Sequence, residues 1–232
     1  MKPLLPCLAA AVLALAVGHA FAAKTVEVAR IKLTLNEDRW TASAELPYRR
    51  ELMSAQGSFS GGARVLTLNA PDGTPQAVMY VGATWGKPQV YTEHGGCEPN
   101  PGLYVRDLNT DKRENVRCLY FGGPVDAAAL LQGPLSSLQD AASSTPVGAP
   151  KEAYVLLLYM TANGGVQIHI EALIAPELAG LVDAQPVGSL PAGLPPAAAA
   201  WADALAASAL KALTSFSGAL PVPPLDFPAP SK

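Results

Sequence analysis

The chain has 232 residues, 50% of them apolar and only 15% charged, with 16 Lys+Arg against 19 Asp+Glu for a net charge of −3. That apolar content supplies a packed core and excludes an acidic disordered chain. No basic patch stands out, so neither nucleic acid nor an anionic membrane surface is expected as a partner.

Residues 1–22, MKPLLPCLAAAVLALAVGHAFA, read as a secretory signal peptide. Lys2 gives the basic start, the apolar run from Leu4 to Val17 the core, and Ala20-Phe21-Ala22 the small-x-small cleavage site. The run is shorter than the ~20 residues a membrane-spanning helix needs, so no transmembrane anchor is expected after cleavage. Cys7 lies at the start of the run behind Pro6, whereas a lipid-modified cysteine would lie at its end behind a small residue. Cleavage after Ala22 removes Lys2, the only charge in the segment, and leaves 15 basic against 19 acidic residues, a net −4. The expected localisation is periplasmic or secreted.

Along the mature chain, Val26, Val28, Ile31, Leu33 and Leu35 alternate with polar residues, with a slip at Ala29. This predicts one strand carrying a bulge. Leu46 to Gln56 carries no clear period and is read as a short helix or irregular loop. Ala63–Asn69 and Gln76–Trp85 predict an antiparallel hairpin across the turn formers Pro71-Asp72-Gly73-Thr74-Pro75. Leu103–Arg106 and Val116–Tyr120 predict a second hairpin, projecting from the body. Asp126–Asp140 has Leu130, Leu131, Leu135 and Leu138 along one side and predicts a helix, with Gly133-Pro134 dividing it into two pieces. Ser143–Pro150 is linker-like.

Tyr154–Pro176 carries the clearest signal: two β-rich runs around Asn163-Gly164-Gly165, which supplies the positive φ values of a tight hairpin. The first run is apolar throughout and predicts a central strand covered on both faces. In the second, Val166, Ile168 and Ile170 face one way and Gln167, His169 and Glu171 the other, on a polar face. Ala197–Phe216 predicts a helix that buries Trp201, Leu205, Ala209, Leu213 and Phe216, opened by Pro195-Pro196 and stopped by Gly218. Asp203 and Lys211 fall on its wet side. Strands in hairpins followed by a late helix predict an α+β fold: a mostly antiparallel sheet with the C-terminal helix packed on one face. One domain over 23–218 is expected, with a proline-rich tail over 219–232 that lies extended or disordered.

Cys97 and Cys118 are the two cysteines left after cleavage. In an oxidising compartment such a pair is most simply a disulfide, here stapling a hairpin at about 94–123. A metal reading would use His94, Cys97 and Cys118, but a structural zinc site wants four ligands. Asp107-Leu108-Asn109-Thr110-Asp111 starts like a calcium loop, then places Lys112 at the glycine position and Cys118 at the glutamate position. No metal and no cofactor are therefore expected.

Hydrolase signatures also fall short. Gly57-Ser58-Phe59-Ser60-Gly61 has Phe59 where a nucleophile elbow needs serine, and Ser208-Ala209-Leu210-Lys211 lacks its partner motifs. The sequence points to a non-enzymatic secreted or periplasmic protein that binds a protein or an envelope component. Tyr104, Arg106, Arg117 and Tyr120 are the candidate contacts, since Tyr and Arg most often anchor interfaces. The alternative is a small periplasmic hydrolase using His94, beside Glu93 and Cys97.

Overall fold

The computed structural model of the chain describes residues 23–35, 39–51, 58–85, 97–99, 103–109, 116–126, 135–144, 148–162, 166–179 and 196–225. The expected signal peptide, the Asn163-Gly164-Gly165 turn and His94 lie outside the described residues. Among those described, no helix is long and apolar enough to cross a membrane.

The strands are β1 (Lys24–Val28), β2 (Ile31–Leu35), β3 (Trp40–Ala42), β4 (Leu46–Glu51), β5 (Ser58–Asn69), β6 (Pro75–Thr84), β7 (Tyr104–Asp107), β8 (Arg117–Asp126), β9 (Glu152–Ala162), β10 (Val166–Ile174) and β11 (Ala219–Val222). The helices are α1 (Ser136–Ser144) and α2 (Pro196–Thr214). The main sheet runs β3-β5-β6-β10-β9-β8-β7, with β4 also on β5, and every pairing in it is antiparallel. A smaller sheet runs β1-β2-β11. The fold is the expected α+β, mostly antiparallel sheet with the C-terminal helix against one face.

The alternating pleat divides the main sheet into two cores. One face carries Leu66, Met79, Val81, Leu119, Phe121, Leu156, Leu158, Ile168 and Ile170, covered by α2 and by the small sheet. The other carries Val65, Val78, Tyr80, Val155 and Leu173, covered by Leu135, Leu138 and Ala141 at α1. Residues on both faces of β9 are buried, as its unbroken apolar run predicts.

Several local expectations change. The slip at Ala29 is a chain reversal and not a bulge: Val28 faces Ile31, and β1 and β2 form a tight hairpin. Ala29 takes φ +49°, the sign that primed hairpin turns need. Its N–H donates to Glu45 Oε1 at 3.0 Å. Leu46–Glu51 is a strand, because β5 offers it a pairing edge that local propensity does not reveal. The helix expected over Asp126–Asp140 is Ser136–Ser144, with Asp126 ending β8 and residues 127–134 outside the described set. Finally, β7 and β8 form the expected hairpin but do not project: β8 is paired along its length with β9, because Leu119 and Phe121 must be buried.

Helix α2 buries Trp201, Leu205, Ala209 and Leu213 as expected, while Phe216 lies past its end and is fully exposed. The chain turns after Thr214 to feed β11. The Arg30 guanidinium donates to the carbonyls of Leu213 and Ser215 there, at 3.5 and 3.1 Å, matching positive charge to the negative helix end. Gly218 (φ +59°) completes the turn, where a Cβ would meet the Arg30 carbonyl oxygen at 2.3 Å. The proline-rich segment then begins as a strand: β11 lies parallel to β2, with Leu220, Val222 and Leu225 buried.

Candidate functional site

Cys97 and Cys118 form the expected disulfide, with their Cα atoms 5.4 Å apart. Cys118 is a buried residue in mid-sheet on β8, opposite Tyr159 of β9. The bridge therefore fastens the chain before β7 onto the sheet.

The four candidate contact residues separate. Tyr104 faces Phe121 and Arg106 faces Leu119 in the β7–β8 register, so both lie on the α2 face. Tyr104 and Phe121 meet edge to face, ring centroids 6.2 Å apart. The two-residue period puts Arg117 on that face as well. Tyr120 lies on the opposite face with Cys118, and burial followed by the nearby Glu98 raises its hydroxyl pKa above the ordinary phenol value. Arg106 is exposed but ion-paired to Asp203 of α2. The structure brings three of the four to one face of the sheet's β7 end and leaves Tyr120 on the other.

A second cluster lies under α1. Glu171, only 1% exposed, projects from β10 to the helix start, where its carboxylate accepts the N–H groups of Ser137 (3.3 Å) and Leu138 (2.7 Å). These are amides that the first turn of a helix leaves without an internal partner, and a negative charge is favoured there. His169 Nε2 lies 3.1 Å from Glu171 Oε1, and its ring meets those of Tyr80 and Tyr159 edge on, at 5.9 and 6.2 Å. The face expected to be polar is thus roofed: Gln167 and Glu171 are buried and His169 is half-buried. A buried carboxylate is tolerated because amides and an imidazole answer it.

The cap has a measurable consequence. Glu171→Ala is expected to lower the unfolding free energy by about 2 kcal/mol, the upper range for losing a helix N-cap. Glu177→Ala, in the exposed turn that follows β10, is expected to change it by less than about 0.5 kcal/mol. Urea denaturation of the two variants compares them directly. Equal effects would show that the carboxylate does not hold α1.

Between α1 and the β4 edge lies a cleft of about 260 Å³, lined by Leu46, Pro47, Tyr48, Arg49, Tyr80, Ser137, Asp140 and Ala141. Gly82 makes room for its floor: a Cβ there would come within 3.0 Å of the Tyr48 ring and 3.1 Å of the Tyr80 ring. Burial first, then the neighbouring Tyr48, Glu171 and Asp140, raise the Tyr80 hydroxyl pKa well above the ordinary phenol value, so this group stays neutral at physiological pH. The sequence reading did not find this cleft. Its lining comes from three distant segments, and the only local sign was the alternation of His169 and Glu171 in an apolar hairpin.

Comparison with protein-family models, characterised proteins and solved structures finds no match for the chain.

Proposed function

We propose that this is a secreted or periplasmic, non-enzymatic protein that binds a protein or envelope component at the β7 edge of its main sheet. The observation that supports this best is the stapled edge itself. Strand β7 ends the sheet, with β8 as its only strand partner among the described residues. The Cys97–Cys118 bridge fastens the preceding chain beside it, and such bridges persist in oxidising compartments. An unpaired strand edge is a template for another chain. The neighbouring Tyr104, Arg106 and Arg117 supply residue types that anchor interfaces.

Placing a photo-crosslinking residue at Arg106 in the producing cell, with Asp72 in the exposed β5–β6 turn as control, tests this reading. A discrete adduct from position 106 and none from position 72 is the expected result. Adducts equally strong from both positions, or from neither, would count against it.

A further inference from the structure

We infer that the end of the molecule formed by the β1–β2 turn, the α2–β11 turn and the tip of β6 docks on a lipid bilayer carrying anionic headgroups, with Phe216 and Trp85 entering its surface. Strand β7 lies along the side of the main sheet and not at this end, so the inference does not depend on what β7 binds.

Three observations carry it. First, among the described residues Trp85 and Phe216 are the two large apolar side chains left exposed, Trp85 by 56% and Phe216 completely. The strand registers put both at the same end. Trp85 follows β6, and its N–H donates to the Ser60 carbonyl one position beyond the Gly61–Thr84 pair. At that end Glu45 lies over Gly62 and accepts the Ala29 N–H of the β1–β2 turn. Arg30, next in that turn, reaches the Ser215 carbonyl beside Phe216.

Second, the Phe216 ring sits on a turn fixed from both sides. The Ser215 N–H donates to the Lys211 carbonyl, and the Lys32 N–H to the Gly218 carbonyl at 2.9 Å. The Ala219 N–H donates to Ser217 Oγ, which also meets Ser215 Oγ at 3.2 Å. A single exposed apolar side chain is ordinary. Two aromatics at one end, one of them fixed at full exposure, mark a docking surface.

Third, the surroundings are basic. Lys32 pairs with Ala219 just after the α2–β11 turn, Lys211 lies in the last turn of α2, and Arg49 lies opposite Ser60 on β4. With Arg30 these make four cations. The described carboxylates among them are Glu27, opposite Lys32, and Glu45. The balance is positive in a chain whose net charge is −3. Composition hides this patch, because its cations come from three separate segments.

A protein partner would need a pocket cut for each ring, since Trp85 and Phe216 are mounted on separate elements. A bilayer surface moulds around isolated rings. Aromatic side chains settle at the headgroup level, and flanking Lys and Arg are drawn to anionic lipid.

The test mixes the oxidised mature protein with vesicles of phosphatidylcholine alone or of phosphatidylcholine with phosphatidylglycerol, followed by co-sedimentation and tryptophan fluorescence. Trp40 and Trp201 are buried, so a blue shift on binding reports Trp85. The anionic vesicles are expected to bind the protein at least about tenfold more tightly than phosphatidylcholine alone, and to release it as added salt screens the charges. Lys211→Ala is expected to weaken binding about fivefold. Phe216→Asp is expected to weaken it at least about tenfold and to leave the melting temperature unchanged, because the ring is fully exposed. Equal binding to the two vesicle types, or unchanged binding in Phe216→Asp, would overturn the inference. So would the absence of vesicle binding, and a discrete protein adduct from a photo-crosslinking residue at position 216 would then assign the surface to a protein.

Discussion

Trp201→Ala is expected to lower the unfolding free energy by about 3–5 kcal/mol, the range for truncating a large buried aromatic. The indole is 5% exposed and sits on the α2 face that closes the larger core. It also holds the end of the chain, because its Nε1–H donates to the Pro223 carbonyl at 2.9 Å. Removing the ring leaves a cavity under α2 and leaves that carbonyl without its partner. Two residues on, Asp203→Ala is expected to cost less than about 1 kcal/mol. Its ion pair with Arg106 joins two half-exposed side chains, and exposed pairs contribute little. Urea denaturation of both variants measures the contrast. If both were equally mild, α2 would not bury the face assigned to it.

The second large effect is expected from the disulfide. Reduction is expected to cost about 3 kcal/mol, the chain-entropy value for a loop of this length, at a sequence separation of 21 between Cys97 and Cys118. The loss has a defined place. Cys118 is held in β8 by β9 whether or not the bridge exists, so reduction frees the Cys97 side first and leaves the sheet paired. Hydrogen exchange on the reduced protein is expected to show protection lost at the Glu98 amide, which bonds the Tyr120 hydroxyl, and kept at 117–122. Thiol titration of the denatured, unreduced mature protein is expected to find no free thiol. Two thiols with a stoichiometric metal would restore the metal reading.

The sequence disclosed the fold wherever the signal was local. Asn163-Gly164-Gly165 between two β-rich runs announced the central hairpin, and Trp201, Leu205, Ala209 and Leu213 announced the helix face. It misled where the answer lay across the fold. Leu46–Glu51 has no strand signature of its own and is extended because β5 pairs with it. The residues at 219–225 look like a loose tail because prolines punctuate them, yet Leu220, Val222 and Leu225 are buried. Phe216 fits the helical spacing but follows the last helical turn. The disulfide was legible by counting cysteines. The cleft was not, because Tyr48, Tyr80 and Asp140 meet only once β4, β6 and α1 have assembled.

The parallel pairing of β2 with β11 has a consequence for how the chain comes into being. Strand β2 is completed by a segment far along the chain, and the Arg30–Ser215 contact spans 185 residues. A two-stranded hairpin alone is marginal in water, so β1 and β2 gain a stable sheet only when β11 arrives. On a ribosome, Val26, Val28, Ile31, Leu33 and Leu35 therefore lack their sheet partner until β11 has been made. Joining ends so far apart slows folding. The small sheet locks only once β11 has left the ribosome and can pair with β2.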